Sequence, residues 1–398
     1  MASSPKILLV LFEGLADTVI ESQVLLHARE LGRMGIAEFE IWAVACVEPL
    51  YTRSLAARDK AQALADCPVE VVRGVRPALP FSTFLNGRRL ARRLARHEGR
   101  FDLVHGRTDY SAVVCARLKR SGGFELVWDC RGDSVAEFAE RFKGQSWLCR
   151  LARAAKMGLL ERQRRAAARA CDRAIFVTDE LRMLAAADLG AKPWAIVPGA
   201  ASDELFRFDP ALRQEARAAL GLAPGDRLLV YRGSLAPYQC FDETLALYGA
   251  LRARDPRTRL LVLTPALDEA RKRIDRAGVA GVDLRKAPIG EVNRYLNASD
   301  AAFMLRAPTD VNRVAFPTNF AEYCLAGLPV IMSGAVPAAH RMARTFGNLV
   351  EVPGEGALAW PEAYDRARVA RTARQHLARA SVAGEYAKIY RLAGAGTR

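Results

Sequence analysis

The sequence predicts an α/β protein made of two parallel-sheet domains. Three observations carry this. The chain has 398 residues, more than one hydrophobic core comfortably accommodates. Short apolar runs alternate with longer helical segments from end to end, as when parallel strands are joined by crossover helices. Breaker residues interrupt the alternation near the middle, at Val197-Pro-Gly-Ala-Ala-Ser202, where a hinge is expected.

The elements follow in order. Strands are expected near Ile7–Phe12, Phe39–Ala45, Val69–Arg73, Leu103–His105, Leu126–Trp128, Ala174–Thr178 and Ala195–Val197. After the hinge they are expected at Leu228–Arg232, Arg259–Thr264, Val282–Lys286, Ala301–Leu305, Val330–Met332 and Leu349–Val352. Each is a short run rich in Val, Ile, Leu and Phe, which suits a strand buried on both faces. Helices fall between them, one from about Phe241 to Arg254, and the tail from about Pro361 to Leu392 is helical. The domain spans are 1–200, 201–372 and a terminal helix in 373–398.

A hydrophobic content of 51% with 26% charged residues is that of a folded soluble chain. Leu8-Leu-Val-Leu-Phe12 is too short and too near the start for a signal peptide. No apolar run approaches the roughly 20 residues that span a bilayer. The eight cysteines stand singly, without Cys-x-x-Cys, so no zinc or redox site is expected and a reducing cytoplasm suits them.

The formal charge of +15 asks for an anionic partner. Arg88, Arg89, Arg92, Arg93, Arg96 and Arg100 crowd one short helix. A longer one carries Arg150, Arg153, Lys156, Arg162, Arg164, Arg165, Arg169 and Arg173 beside Trp147, Leu148, Leu151, Leu159 and Leu160. Two readings stand: a basic amphipathic face for an anionic membrane surface, or a solvated face of an Arg-rich protein. No nucleic-acid motif accompanies the charge, so nucleic acid is not expected.

Two segments carry the chemistry. Pro317-Thr-Asn-Phe-Ala-Glu-Tyr-Cys-Leu-Ala-Gly-Leu-Pro-Val-Ile-Met-Ser333 reads as a turn, a helix of two to three turns, a Gly-Leu-Pro break and a buried strand. Backbone N–H groups at such a helix start suit a phosphate. Glu322, about one turn in, can accept hydrogen bonds from a ribose diol. Leu228-Leu-Val-Tyr-Arg-Gly-Ser-Leu-Ala-Pro-Tyr-Gln239 is a strand running into a Gly loop and then a helix, a layout that holds phosphate at the carboxyl end of a parallel sheet.

Together these segments resemble the donor half of retaining nucleotide-sugar glycosyltransferases of the large family numbered 4. These have the GT-B fold, two Rossmann-like domains facing each other across a cleft. The Pro-Thr-x-Phe-x-Glu-Tyr-x-x-x-Gly-x-Pro-Val-Ile pattern carries the likeness, extended by Asp300-Ala-Ala-Phe-Met-Leu-Arg306 and Asn312. Members that build bacterial capsular or exopolysaccharides are the most similar. The chain departs from the family at four places: Ser234 and Gln239 replace the usual Arg and Lys, Val314 an acidic residue, and Asn319 a common Lys or Arg.

The resemblance implies a nucleotide-sugar donor held by Gly233, Ser234, Gln239, Thr264, Pro317, Thr318, Asn319, Phe320 and Glu322, with Arg232 and Arg306 stabilising the leaving diphosphate. It implies a glycan or lipid-linked acceptor at the first domain, and a terminal helix packed back on that domain. Strand ends there offer Gly14, His105, Arg107, Asp129 and Arg131. His105 is expected to contact substrate. Asp129 and Arg131 contact the sugar or form an internal ion pair that shapes the site. Gly14 is expected to let a ligand approach closely.

No Asp-x-Asp occurs, and none of Gly-x-Gly-x-x-Gly after the first strand, Gly-x-Ser-x-Gly or the Walker loop. Metal-dependent transferase, dehydrogenase, hydrolase and kinase chemistry are therefore not expected, and neither metal nor cofactor is called for. A non-catalytic GT-B homologue and a nucleotide-sugar epimerase remain as alternatives.

Overall fold

The computed structural model describes residues 4–15, 18–142, 147–352, 358 and 364–391. The chain divides into two compact units, Met1–Pro198 with Val382–Arg398, and Gly199–Ser381. The division falls inside the expected hinge. The second crossing comes at Ser381/Val382, later than the 372/373 boundary read from the sequence. Helix Arg366–Leu377 still belongs to the second unit: Arg366 donates to the carbonyls of Leu296, Ser299 and Ala326. The ends of the expected terminal helix, 361–363 and 392 onward, lie outside the described residues.

The first unit holds a seven-stranded parallel sheet of β1 (Lys6–Leu11), β2 (Glu38–Ala45), β3 (Val69–Arg73), β4 (Leu103–Arg107), β5 (Glu125–Cys130), β6 (Arg173–Phe176) and β7 (Trp194–Ile196), in the order β3-β2-β1-β4-β5-β6-β7. The second holds a six-stranded parallel sheet of β8 (Arg227–Arg232), β9 (Thr258–Leu263), β10 (Val282–Arg285), β11 (Ala301–Met304), β12 (Val330–Met332) and β13 (Leu349–Glu351), in the order β10-β9-β8-β11-β12-β13. Burial follows place in the sheet. Ile7–Leu11 of β1 and all of β4, β11 and β12 are buried, whereas the edge strand β10 is half-buried throughout. Central parallel strands need apolar residues on both faces, which is why they read as continuous runs.

Both sheets reverse strand order beside their first strand, between β1 and β4 and between β8 and β11. In open parallel sheets a crevice opens outside the carboxyl ends at such a switch point. Phe12-Glu13-Gly14 and Arg107 stand at the first, Arg232 and Arg306 at the second.

Candidate functional site

At the β8/β11 switch point, Arg232 ends β8 and Glu322 lies on helix Thr318–Leu325. A guanidinium Nη1 of Arg232 donates to Glu322 Oε2. The Arg232 backbone is pinned as well: its N–H donates to Tyr323 Oη at 3.0 Å, and its carbonyl accepts from Asn319 Nδ2 at 2.8 Å. Glu322 is 1% exposed. Burial raises its pKa above the ordinary carboxylate range, against the opposing charges of Arg232 and Arg379. Arg232 keeps a solvent-facing side, with 23% of its side chain exposed.

The helix starts at Pro317 (φ −69, ψ 126), whose fixed ring torsion suits a helix boundary. It stops at Gly327, whose φ of +68 no β-carbon tolerates well and where a Cβ would sit 2.3 Å from the Arg366 carbonyl. The hinge packs against the same loop: a Cβ on Gly199 would lie 2.9 Å from the Phe316 carbonyl. Thr318 is half-buried, and Thr264, at the end of β9, is buried.

Arg306 is the unusual member. It is 6% exposed, and its Nη1 donates to its own neighbour's carbonyl, Leu305, at 2.9 Å. Ser333 Oγ clasps its backbone on both sides, at 3.0 and 2.8 Å. Burial pushes its pKa down; the groups that oppose this are the phenols of Tyr231, Tyr323 and Tyr238 and the Cys240 thiol. Among the described residues it makes no ion pair with a carboxylate. A buried cation without a counter-charge is costly.

The loop after β8 is closed on itself. Gln239 Nε2 donates to Ser234 Oγ at 2.8 Å, and Tyr231 Oη donates to the Ser234 carbonyl at 2.7 Å. A Cβ on Gly233 would strike Gln239 Oε1 at 2.6 Å. Asn312 is buried and ties the loop down, donating to the Tyr238 and Ala307 carbonyls at 2.9 and 2.8 Å. Val314 is in the core. Phe320 corrects the sequence reading: its ring is fully buried and its N–H donates to the Pro317 carbonyl at 3.0 Å, so it has nothing to offer a ligand.

At the β1/β4 switch point, Arg107 reaches Glu13 Oε1 at 3.0 Å and Gln23 Oε1 at 2.9 Å. Burial raises the Glu13 pKa although Arg107 opposes it. The next residue, Thr108, has φ +72. A β-branched residue in the left-handed region is strained, and this strain sits at the carboxyl end of β4. Gly106 is required because a Cβ there would lie 2.8 Å from Ala112 Cα.

His105 is 2% exposed, with Nδ1 2.9 Å from Tyr390 Oη and Nε2 3.1 Å from Asp129 Oδ2. The ring is buried, with Tyr390 against one nitrogen and Asp129 near the other, so the geometry does not present it for the substrate contact expected from sequence. Burial works against the Asp129 carboxylate, yet Arg131, His105 and Arg107 together hold its pKa well below the usual range. Arg131 Nε meets Asp129 at 2.8 Å and its Nη2 donates to Tyr386 Oη at 2.9 Å. Of the two roles read for Asp129 and Arg131, the geometry is that of the internal ion pair. Gly14 (φ +81) is also corrected: a Cβ there would meet Leu50 Cδ1 at 2.6 Å, so its room is taken by the protein's own helix.

Sequence reasoning missed Glu13, Gln23, Asp109, Tyr386 and Tyr390 at this end of the first sheet, and Arg379 beside Glu322. Asp109 is 4% exposed. Burial pushes its pKa from 3.8 up to about 6, against the Ser134 hydroxyl, which donates to it at 2.9 Å, and the charge of Arg164. The folded protein therefore holds a proton that the unfolded chain has lost, between about pH 4 and 6, and stability falls as pH rises through that window. Asp109→Asn is expected to stabilise the protein at about pH 7–8 by on the order of 3 kcal/mol and to change little near pH 4. Equal effects at both pH values, in thermal melts, would remove the buried proton.

Comparison with known proteins agrees with this architecture. Residues 11–199 match the glycosyl transferase 4-like domain. The chain is 30% identical over 303 residues to a D-inositol 3-phosphate glycosyltransferase of Actinosynnema mirum, covering 71% of this chain and 68% of that protein. Among solved structures, HepE of Anabaena in complex with UDP superposes with a TM-score of 0.68 at 15% identity, covering 96% of this chain and 98% of that one. The sucrose-phosphate synthase of Thermosynechococcus elongatus gives 0.67 at 15% identity, covering 97% and 98%. These likenesses share the two parallel-sheet, Rossmann-like halves of the GT-B fold. The chain belongs to the glycosyl transferase 4-like family and is a glycosyltransferase with the GT-B fold.

Proposed function

We propose that the protein transfers a sugar, with retention of anomeric configuration, from a nucleotide-diphosphate sugar to a glycan or lipid-linked acceptor in bacterial polysaccharide biosynthesis. The observation that carries the donor half of this reading is Arg306, a cation buried at the β8/β11 switch point with no carboxylate partner among the described residues. A diphosphate supplies the missing counter-charge. On this reading the donor is held also by Arg232, Thr318, Asn319, Pro317, Gly233, Ser234, Gln239 and Thr264, the residues the family resemblance points to, and Glu322 accepts the ribose hydroxyls once Arg232 turns from it to the phosphates. UDP in the HepE complex and UDP-glucose in another HepE structure support a nucleotide-sugar donor.

In the proposed reaction the anomeric carbon–phosphate oxygen bond breaks and an acceptor oxygen bonds to the same face. The acceptor proton passes to the departing phosphate oxygen. Arg306 and Arg232 stabilise the charge that develops on the leaving diphosphate, so catalysis rests on orientation and electrostatics. Arg107 and Glu13 face the acceptor. His105, Asp129 and Arg131 hold the shape of that end. We place the enzyme in the cytoplasm at an anionic membrane surface; among the described residues no helix is long and apolar enough to cross a membrane.

The test is transfer from UDP-, GDP-, ADP- and TDP-sugars to lipid-linked glycans and to D-inositol 3-phosphate, in EDTA, with the product anomer read by NMR. Retained configuration with activity intact in EDTA is expected. Loss in EDTA restored by magnesium or manganese contradicts the two-arginine mechanism. Tight nucleotide-sugar binding without transfer favours a non-catalytic homologue, and an isomerised donor favours an epimerase.

A further inference from the structure

In the first unit, helix Ser82–Leu94 has two faces that do not match a solvated surface helix. Its inner face, with Ser82, Asn86, Gly87 and Leu90, is buried. Its outer face, at i, i+3, i+4, i+7 and i+11, carries Phe81, Phe84, Leu85, Arg88 and Arg92. Phe81 is 81% exposed, more than any other large apolar residue among those described, and Phe84 and Leu85 are 48% and 41% exposed; Leu79, just before, is 51% exposed. Apolar side chains thus fill the first half of the outer strip and guanidinium groups the second.

The protein holds this arrangement at a cost. Phe81 has φ +58, a conformation an aromatic residue adopts rarely. Here it turns a large ring into water. The loop that presents it is fastened from below. Asn86 Oδ1 accepts from the Val75 N–H at 2.7 Å, and its Nδ2 donates to the Val75 carbonyl at 2.9 Å and to Tyr110 Oη at 2.8 Å. Ser82 Oγ donates to the Pro77 carbonyl at 3.1 Å. An exposed apolar patch kept rigid in this way marks a contact surface.

Charge selects the partner. Arg76, Arg88 and Arg92 are exposed beside the patch and make no ion pair among the described residues. Arg93 is taken by Glu70 and Arg89 leans on the Arg73 carbonyl. Beside the strip, a cleft of about 350 Å³ is lined by Phe84, Ala91, Val113, Ala166, Arg88 and Arg117, apolar surface next to two cations. The longer helix Trp147–Ala170, the other candidate from sequence, is less suited: Arg164, Arg165 and Arg169 pair with Asp133, Glu161 and Asp188, and Arg173, just beyond it, with Glu125.

We propose that Leu79, Phe81, Phe84 and Leu85 insert into the interfacial layer of an anionic lipid membrane, with Arg76, Arg88 and Arg92 on the lipid phosphates. Apolar rings at acyl depth with guanidinium groups reaching back to the headgroups is the arrangement by which interfacial helices bind bilayers. This extends the lipid-linked acceptor proposed above. Vesicle binding needs neither donor nor acceptor, so the two readings fail separately.

The experiment is flotation of the full-length protein with vesicles of phosphatidylcholine alone or mixed with phosphatidylglycerol, over a salt series. The unaltered protein is expected to float with the mixed vesicles and to be released as salt rises. Arg88→Gln/Arg92→Gln should weaken binding about thirtyfold, or about 2 kcal/mol. Phe81→Ser/Phe84→Ser should weaken it at least tenfold and leave the remainder wholly salt-sensitive. Both variants should keep the circular dichroism spectrum and thermal melt of the unaltered protein, which shows they are folded. Indifference to anionic vesicles at low salt overturns the proposal. So does unchanged flotation of the Phe81/Phe84 variant, or a dimer in sedimentation that this variant dissolves.

Discussion

Glu322→Ala is expected to lose at least tenfold in nucleotide-sugar affinity. Glu322 is the buried carboxylate of its helix and its ligand would be a pair of hydroxyls, so a charge-assisted hydrogen bond disappears, worth about 1.5–3 kcal/mol. The substitution also strands Arg232, whose guanidinium now meets Glu322. Arg232 is partly solvated and can turn outward, so the fold should survive with a modest loss of thermal stability. Glu322→Gln separates the two effects. It keeps the shape and one acceptor, and should recover stability while affinity stays low. Calorimetric titration with the preferred UDP- or other NDP-sugar reads the first effect, thermal melts the second. Unchanged affinity in a folded Glu322→Ala protein would remove this residue from the site.

Arg306→Met is expected to move stability and function in opposite directions. Arg306 is buried, donates to the Leu305 carbonyl and has no carboxylate partner among the described residues. Methionine fills much the same volume without charge. Replacing costly buried charge by apolar groups of similar size is often stabilising by about 1–4 kcal/mol, which in a domain of this size is a rise of several degrees in Tm. On the proposed mechanism the same change removes the counter-charge for the leaving diphosphate, so kcat should fall by two orders of magnitude or more, as when one preorganised donor to developing charge is deleted. Affinity for the nucleoside alone should be little altered and affinity for the nucleoside diphosphate reduced. A destabilised Arg306→Met protein that still turns over would show that Arg306 is structural.

The architecture was legible because it is written in short-range patterns. The thirteen strands among the described residues lie where apolar runs stand in the sequence, most within one or two residues. Helix Phe241–Arg254 has the ends its pattern predicted. The hinge at Val197–Ser202 contains the observed division. Strand period, helix period and breakers act over a few residues, so a reader of the chain can see them.

The site was half legible. Arg232, Arg306 and Glu322 could be named from their places after strands and in a helix start. That Arg232 reaches the buried Glu322 across a separation of 90 residues, and that Arg306 has no carboxylate partner among the described residues, depends on which groups the fold brings together. The same holds for His105, which looked like a strand-end catalytic residue until Tyr390, 285 residues later, closed one of its nitrogens. Gly14 looked like room for a ligand until Leu50 filled it.

The sequence by itself determined the α/β class, the two domains, the strand order's raw material and the short list of polar residues at strand ends. Local propensity and hydrophobic period suffice for those. Only the tertiary structure decided which of those residues are satisfied internally and which are left with charge or apolar surface unmatched. That sorting arises from desolvation and pairing between segments far apart in the chain, and no local pattern encodes it. Among the described residues, Arg306 and the Phe81–Leu85 face are two of the groups left unmatched.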